Sequence, residues 1–416
     1  MLRSFRVLNH RSIRDEQELL LTPVYGGGEP VVPVAAIYGA NASGKSNLLD
    51  AMDFMASAVR DSFGRWSPEG GVPRRPFKLD ADSAAKESGF VVGFFVEGVR
   101  HTYGFVVDDS VVREEWLYSY PEKRKRIVFE REAGGIKVGT TVGDLRGKLD
   151  VLKALVRPNA LFLSVAAQSN VGQVLPAYRF LTEKLAFRAR GSWRQDLDQV
   201  ARVMRDPVGR NRLFNLVRSA DMGIVGMETA PRSRAEVLLR DLLEREGQPA
   251  PPVSEELWFT HVKGARPLAF DEQSEGTKSW VRLLPAVLDA LDEGRVLLLD
   301  EIDTSLHPML TAQLIRLFQK PETNPLRAQL VFTTHDASLL GAWLPGEEPD
   351  EEVLLRDQVW FVEKGNDGAS RVSALSDFRP RKGENTERRY LMGSYDGLPM
   401  MFEGQFANSV LGRRAS

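Results

Sequence analysis

Apolar residues recur along this chain with two different periods, and the changes of period predict its elements. Residues 33–38 form a short apolar run of the buried-strand type. Residues 47–59 then follow a helical period, with one apolar stripe made of Leu48, Leu49, Met52, Met55 and Val59. Residues 1–22 predict two strands joined by a turn at residues 9–12. A strand followed directly by an amphipathic helix is therefore expected near the N-terminus.

Two longer regions differ in the same way. Residues 89–96 and 102–107 are β-rich runs joined through Glu97 and Gly98, and the pattern continues to Phe129, which predicts an antiparallel sheet. From Thr141 to Glu246 the apolar period becomes 3.6, which predicts an inserted helical subdomain. The chain is therefore predicted to be an α/β protein with an antiparallel β-subdomain and an inserted α-helical subdomain.

Three regions follow from these boundaries. Residues 1–140 are predicted to form an N-terminal lobe, residues 141–246 the helical insertion, and residues 247–416 a C-terminal lobe. The stretch of proline, glycine and alanine at 247–252 has the composition of a linker back to the core. We find neither an internal repeat nor a long heptad tract.

Composition narrows the function classes. The chain has 416 residues, 43% of them hydrophobic and 27% charged, as is ordinary for a globular protein. It has no cysteine, which excludes disulfides, thiolate metal sites and thiol catalysis. The N-terminus reaches charged residues within a few positions, and no run approaches 18 apolar residues, so we expect a cytoplasmic protein that does not enter a membrane.

The junction between the predicted strand and helix carries a phosphate-binding pattern. Residues 39–46 read GANASGKS, which fits G-x-x-x-x-G-K-[ST]. Gly39 and Gly44 allow backbone N–H groups at a helix N-terminus to approach phosphate oxygens. Lys45 adds a charge for the β- and γ-phosphates, and the Ser46 hydroxyl is placed to bind Mg²⁺. The pattern predicts binding of ATP with Mg²⁺, and the other candidate contacts in this stretch are Asn41, Ser43 and Asn47.

A second apolar run ends in two acids. Residues 296–299 are apolar and are followed by Asp300 and Glu301, which suits a buried parallel strand with carboxylates at its C-terminal end. Asp300 is expected to hold Mg²⁺, directly or through water. Glu301 is expected to polarise the attacking water in hydrolysis of the γ-phosphate. The alternative is that the two acids form a helix N-cap pair.

A third apolar run, residues 329–334, ends at His335, which could reach a γ-phosphate. A histidine in such a place is often a structural group instead. Three strands that each end in phosphate chemistry at one sheet edge nevertheless favour a shared nucleotide site.

A basic stretch offers a different kind of partner. Residues 179–218 contain ten Arg or Lys and four acids, although the net charge of the whole chain is −2. This local excess makes the helical subdomain the best electrostatic candidate for binding a nucleic-acid backbone. A solvated helix surface that balances acidic stretches elsewhere explains the composition equally well.

With these pieces in order, the chain resembles the ABC-type ATPases, and within them the RecF/OLD-like branch. It is most similar to the stand-alone ATPases of bacterial anti-phage systems, of which the ATPase of the PARIS system is an example. Ser274 and Gly276 match the signature segment of that family, and Asp300 with Glu301 matches its Walker B motif. Residues 305–308 match the segment across the dimer seam, and His335 matches the switch histidine.

The resemblance implies more than the residues do by themselves, beginning with an α/β P-loop core that has a mixed central sheet. In this family the signature segment of a second subunit clamps the γ-phosphate, so a head-to-tail homodimer or higher homo-oligomer with ATP at the interface is implied. Slow ATP hydrolysis, a sensing or regulatory role in anti-phage defence, and a separate effector protein are implied as well. The alternatives are a RecF-like DNA-binding ATPase of DNA repair and a nucleotide-dependent scaffold with negligible turnover.

The resemblance extends to further residues and has departures. Arg11 and Ser12 match a RecF-like turn near the nucleotide, so both are candidate nucleotide contacts. Glu275 stands where transporters of the family have glycine. Only about 80 residues follow His335, so no Toprim nuclease domain is expected. Residues 379–399 form a basic, glycine-punctuated segment, expected to be a surface tail, although it could dock a partner or reach the nucleotide.

Overall fold

The computed structural model of the chain describes residues 1–25, 30–140, 142–188, 193–220, 223–231, 234–245, 255–262, 266–304, 306–341, 352–379, 385–395 and 397. Its strands in chain order are β1 Leu2–Leu8, β2 Gln17–Leu20, β3 Val34–Tyr38, β4 Ser88–Val96, β5 Val99–Val107, β6 Val112–Tyr120, β7 Arg126–Glu132, β8 Gly135–Val138, β9 Leu185–Arg188, β10 Ile224–Pro231, β11 Glu255–His261, β12 Leu268–Ala269, β13 Val296–Leu299, β14 Gln329–Thr334, β15 Val359–Lys364 and β16 Ser370–Ala374.

The α-helices come between and after these strands. They are α1 Lys45–Asp61, α2 Ala81–Ala85, α3 Gly143–Leu155, α4 Phe162–Gln168, α5 Leu175–Arg179, α6 Trp193–Arg205, α7 Pro207–Ser219, α8 Arg234–Arg245, α9 Glu275–Glu293, α10 Pro308–Gln319 and α11 Thr386–Leu391. A π-helical turn over Phe180–Lys184 follows α5. None of the helices in the described ranges has the length and apolar character needed to cross a bilayer.

The central sheet has the strand order β16-β15-β3-β14-β13-β9. From β15 to β9 neighbouring strands are parallel, and β16 pairs antiparallel with β15. The sheet is therefore mixed, as the resemblance implies. Its parallel strands all end at one edge, so the segments that follow β3, β14 and β13 lie side by side.

Alternate side chains along the strands of this sheet belong to two different hydrophobic cores, one on each face. Along β3, Ala35 and Ile37 belong to one core, whereas Val34, Ala36 and Tyr38 belong to the other. Helix α1 covers the first face, and α9 with α10 covers the second. Successive side chains of a strand point to opposite faces, so a strand covered on both sides must be apolar at every position.

The first core is shared with an antiparallel sheet of order β2-β1-β4-β5-β6-β7-β8. The apolar stripe of α1 fills the space between the two sheets. A third, smaller sheet has the order β10-β11-β12. The predicted fold class, an α/β core with an antiparallel β-subdomain and inserted helices, is confirmed by this topology.

The region predicted as helical, residues 141–246, also contains two strands. Strand β9 is an edge strand of the central sheet, and β10 belongs to the small sheet. Helices α3, α4 and α5, which precede β9, pack into the first core, whereas α6 and α7, which follow it, pack into the second. A four-residue strand is too short to interrupt a helical apolar period visibly, and only its pairing with β13 reveals it.

The C-terminal segment does not behave as the expected surface tail. Tyr390, Tyr395 and Gly397 are buried, the first two in the second core. Residues 380–384, 396 and 398–399 of the predicted tail lie outside the described residues. Aromatic side chains outweigh the basic character of the segment because each buries a large apolar area.

Candidate functional site

The candidate site lies at the carboxyl edge of the central sheet. Tyr38 of β3 pairs with Thr334 of β14, and Leu299 of β13 pairs with Phe332 of β14. The phosphate-binding pattern, His335 and the acidic pair follow these three strands directly. The structure therefore places the three predicted phosphate-site segments next to one another.

The backbone of the phosphate loop (residues 39–46) needs its two glycines. Gly44 has φ +112°, and a Cβ there would overlap the hydroxyls of Ser370 and Ser12. A Cβ at Gly39 would overlap the carbonyl oxygen of Val362. The N-terminus of α1 has no side-chain cap, so its backbone N–H groups remain directed to the loop. Unhindered N–H groups at a helix N-terminus form the kind of cradle that binds phosphate.

Lys45 lies inside this loop. Its Nζ donates to the carbonyl oxygens of Gly39 (2.7 Å) and Ala40 (3.0 Å), and the residue is buried. Burial lowers the pKa of Lys45 below its usual value, and the nearby carboxylates of Glu301, Asp303 and Asp300 act in the opposite direction. The cation is thus held between the loop and the acidic strand end, where it can meet a phosphate oxygen.

Ser46 and Asp300 meet at the position expected for a metal ion. The Oγ of Ser46 donates to Oδ1 of Asp300 at 2.9 Å, and Oγ1 of Thr333 donates to the same oxygen at 2.7 Å. Hydroxyl and carboxylate oxygens together with phosphate are what Mg²⁺ prefers. These donor atoms fit Mg²⁺, and Ser46 with Asp300 would hold it.

Glu301 has an unusual backbone. Its φ is +55°, a left-handed conformation that is costly for a residue with a side chain. The conformation is maintained because its N–H donates to Thr333 Oγ1 (2.7 Å) and the next N–H, of Ile302, donates to the Thr333 carbonyl (3.1 Å). Such strain concentrates at functional sites, and here the left-handed conformation turns the backbone just after the end of β13.

His335 is held by a carboxylate that the sequence did not single out. Its Nδ1 lies 3.0 Å from Oδ2 of Asp303, which also accepts the backbone N–H of His335 at 3.1 Å. The imidazole is 62% exposed, whereas Asp303 is nearly buried. With Nδ1 directed to a carboxylate, Nε2 remains to accept or donate a proton at the site.

Asn47 and Ser12 belong to a hydroxyl network that braces the phosphate loop. The Nδ2 of Asn47 donates to Ser12 Oγ (2.7 Å), and Ser12 Oγ lies 2.7 Å from Ser370 Oγ. Ser370 in turn donates to the carbonyl oxygen of Ser43 (2.5 Å). Ser370 and Thr333 are therefore site residues that sequence reasoning missed. A hydroxyl at the end of an apolar strand was a signal for Thr333, whereas Ser370 has no local signal.

Arg11 is paired within the chain. Its guanidinium makes two hydrogen bonds to Asp50 of α1, at 2.5 and 2.8 Å, and Nε2 of the buried His10 lies 2.8 Å from the same carboxylate. Burial lowers the pKa of His10. The turn at residues 9–12 is thereby attached to the helix that carries Lys45, and a direct contact between Arg11 and nucleotide stays a prediction.

The two signature residues lie at the start of α9. Ser274 caps this helix, since its Oγ accepts the N–H of Thr277 at 3.1 Å, and Gly276 is in the first turn. Within the described part of the chain, the hydrogen bonds of Ser274 stay inside this turn and none reaches residues 39–46. Ser305, from the predicted seam segment, lies outside the described residues.

The structure thus brings together Lys45, Ser46, Asp300, Glu301 and the segment of His335 in one chain. Asn41, an exposed residue of the loop, faces no described partner. The arrangement can cradle a triphosphate, hold a divalent cation and present a carboxylate to a water molecule.

Comparison with known proteins gives one matching family. Residues 34–341 match the family model described as "AAA domain, putative AbiEii toxin, Type IV TA system". No curated protein matches the sequence.

Solved structures with a similar fold include heads of SMC proteins. The SmcHead bound to the C-winged helix domain of ScpA is 14% identical, with 90% of this chain and 97% of that chain covered and a TM-score of 0.43. The SMC head domain from Thermotoga maritima is 15% identical, with 90% and 98% covered and a TM-score of 0.42. An Smc head domain from Pyrococcus furiosus with an extended coiled coil is 12% identical, with 90% and 97% covered and a TM-score of 0.43.

Proposed function

This chain belongs to the AAA-domain family described as putative AbiEii toxin, Type IV TA system, and from that premise we propose that it is an ATPase of the ABC type whose active sites form between two copies of the chain. The observation that carries the proposal is the hydrogen-bonded set of Ser46, Thr333 and Asp300 beside the buried Lys45. It unites a phosphate cradle with a site for a divalent cation at one sheet edge.

Each residue then has a role in the proposed reaction. Backbone N–H groups of the loop and Lys45 bind the β- and γ-phosphates. Ser46 and Asp300 would hold Mg²⁺, which neutralises charge on the phosphate oxygens when bound. Glu301 accepts a proton from the water that attacks the γ-phosphorus, while the bond to the bridging β–γ oxygen breaks and ADP leaves with phosphate. His335, oriented through Nδ1 by Asp303, donates from Nε2 to a γ-phosphate oxygen when both ring nitrogens carry a proton.

A second copy would complete each site. Ser274 is exposed and caps α9, a 19-residue helix, and this helix N-terminus would face the γ-phosphate of ATP bound to the partner copy. The helix N-terminus and the Ser274 hydroxyl favour an anion. In a head-to-tail homodimer two ATP molecules would be enclosed, and hydrolysis would release the copies. Binding of ATP would thus act as a dimerisation switch.

For its biological role we propose a cytoplasmic regulatory subunit of a bacterial anti-phage defence system, with the damaging activity in a separate effector protein. Support comes from the resemblance of residues 305–308 and of the signature segment to the defence ATPases. An ATP-gated dimer can present one surface in the bound state and another after hydrolysis, which is what a sensor that controls an effector requires.

Two substitutions test the ATPase. We expect Lys45→Ala to abolish ATP binding, because each lost charged hydrogen bond costs up to about 3 kcal/mol, or about 100-fold in affinity. We expect Glu301→Gln to bind ATP, to remain dimeric with it and to hydrolyse it about 100-fold or more slowly, because the general base is removed. Calorimetry, phosphate release and light scattering measure the three properties.

Lys153→Ala and Glu322→Gln, at exposed positions of α3 and of the loop after α10, are the matched controls and should behave as the wild type. Equal hydrolysis in wild type and Glu301→Gln would refute the assignment of the base. A single-chain mass for ATP-loaded Glu301→Gln would refute the dimer. The effector assignment is tested by purifying both variants from the native host in ATP and identifying co-purifying proteins by mass spectrometry. One protein should accompany Glu301→Gln and be absent from Lys45→Ala.

A further inference from the structure

The C-terminal segment made of residues 385–395 and Gly397, here called the C-terminal clamp, lies against the strand that carries the phosphate loop. Helix α11 forms its first part, and Asn385 caps that helix by accepting the N–H of Arg388 at 2.7 Å. Tyr390 and Tyr395 are 3% and 4% exposed. Burial this complete means that the clamp is packed into the protein and is not a loose tail.

Stacked aromatic rings attach the clamp to the central sheet. The ring of Phe361 on β15 stacks with the rings of Tyr390 and Tyr395. The ring centroids are 5.4 and 5.5 Å away, and the interplanar angles are 16° and 15°. Tyr390 also makes an edge contact of 5.6 Å with Tyr38, the last residue of β3. Phe361 and Tyr38 are paired neighbours in the sheet. Aromatic pairs at these distances stabilise a contact beyond their buried area, so the clamp has a specific seat.

The clamp ends on the phosphate loop itself. A Cβ on Gly397 would lie 3.2 Å from the Cα of Gly39 and 3.4 Å from the carbonyl oxygen of Val362. Gly397 has φ +93°, which is strained for any other residue. The two backbones therefore touch at a point where one must be glycine. Gly39 is the residue whose carbonyl oxygen accepts from Lys45 Nζ, so its position determines that of the lysine.

The clamp also touches the neighbouring catalytic segment. Helix α11 packs against the 3₁₀ turn Ala337–Leu340, which follows His335 by one residue. The carboxylate of Glu387 lies 2.6 Å from the position that a Cβ on Gly341 would occupy. One element thus contacts the segments that leave two adjacent strands of the site, β3 and β14.

We propose that the C-terminal clamp positions the phosphate loop for ATP, so that docking of the clamp and binding of ATP stabilise each other. The proposal rests on the proposed ATP-binding function and extends it to Tyr390, Tyr395 and Gly397 as positioning residues. In the docked form Gly39 is held from outside and Lys45 bonds to its carbonyl from inside. Release of the clamp frees the first residue of the loop, and ATP then has to order it. Coupling of this kind is reciprocal by thermodynamic necessity.

Substitutions in the full chain measure one direction of the coupling. Tyr395→Ala is expected to raise the Kd and KM for Mg-ATP about tenfold and to leave kcat at saturating ATP unchanged, because ATP at high concentration restores the loop. Tyr395→Phe, which retains the ring, should restore wild-type values. Gly397→Ala leaves both aromatic stacks in place and should raise the Kd as well. Leu391→Ala, an exposed position of α11, is the matched control and should change nothing.

Hydrogen exchange measures the other direction. Mg-ATP should slow exchange of the α11 amides in the wild type, and should have no effect in Lys45→Ala. A Kd in Tyr395→Ala and Gly397→Ala equal to that of the wild type would overturn the clamp proposal, and so would a fall in kcat at unchanged KM. Equal hydrogen-exchange rates of the α11 amides with and without Mg-ATP in the wild type would overturn it as well. A wild type that binds no ATP would instead overturn the proposed function itself.

Discussion

The side chain of Ser370 joins the phosphate loop to the N-terminal turn. Ser370 is 1% exposed, and its hydroxyl forms hydrogen bonds with the Ser43 carbonyl and the Ser12 hydroxyl. Asn47 also donates a hydrogen bond to the Ser12 hydroxyl. The loop and α1 are thereby fixed relative to β1 and β16, which are far apart in sequence. A buried polar network of this kind rigidifies the group that it surrounds.

We expect Ser370→Ala to weaken binding of Mg-ATP about fivefold, because a neutral hydrogen bond contributes about 1 kcal/mol and the Ser43 carbonyl loses its donor. The Kd from calorimetry measures the effect. Ser376→Ala, in the 3₁₀ turn just after β16, is the matched control and should retain the wild-type Kd. An unchanged Kd in Ser370→Ala would mean that the network does not support the loop.

At the scale of an element, the buried side chain of Glu115 likewise fixes two segments relative to each other. It is fully buried on β6 and accepts the N–H groups of Phe162 (2.6 Å) and Leu163 (2.9 Å) and the hydroxyl of Tyr103 (3.0 Å). Burial raises the pKa of Glu115, and the Arg131 guanidinium and these amides act in the opposite direction. Helix α4 has no side-chain cap at its N-terminus. A side chain of the antiparallel sheet therefore accepts the hydrogen bonds of its first amides.

Removal of this carboxylate should loosen the joint between the antiparallel sheet and α4. We expect Glu115→Ala to lower the free energy of unfolding by about 3 kcal/mol or more, because buried donors then lack an acceptor. Urea titration measures the change. Glu115→Gln keeps one acceptor oxygen and should recover part of the loss. The exposed neighbour on β6 offers the control Glu114→Ala, which should unfold as the wild type does. Equal midpoints for the two alanine variants would refute the role.

At the scale of the whole molecule, the basic helical region is less free for nucleic acid than its composition indicates. Three of its cations have partners inside the chain: Lys184 donates to the Glu293 carbonyl, Arg188 to Gln199 (3.0 Å), and Arg212 is paired with Asp292 (2.7 Å). Arg190 and the side chain of Arg194 lie outside the described residues. Arg179, Arg202, Arg205, Arg210 and Arg218 are exposed, and so is the paired Arg212.

Arg179, Arg202, Arg205, Arg210 and Arg218 set the salt dependence that we expect from the described part of this region. Each phosphate neutralised contributes about 0.9 to the slope of log K against log salt, so we expect a slope no steeper than about −4.5. Fluorescence anisotropy with a DNA duplex between low and physiological salt measures it. Arg210→Glu with Arg218→Glu should flatten the slope further. A steep slope that these reversals flatten would favour the RecF-like repair function, whereas a steep slope that they do not change would place DNA elsewhere on the molecule.

The sheet edge that carries the candidate site was largely predictable from sequence. Residues 39–46 and 300–301 carry local patterns, since a glycine-rich turn before a helix and an apolar strand before two acids each have a chemical meaning within ten residues. Their neighbourhood follows from the rule that parallel strands end at one edge. Asp303 and Ser370 have no such pattern, because their contacts with the site are made with groups 32 to 327 residues away in the chain.

Local sequence by itself determined the phosphate loop, the acidic pair and the alternation of α and β elements, because each depends on residues that are neighbours in the chain. Tertiary structure alone decided which residues complete them. The pairing of β9 with β13 divides the predicted helical insertion between two cores. The stacking of Tyr390 and Tyr395 on Phe361 brings an expected surface tail onto Gly39. Both depend on long-range packing, which no local period or motif encodes.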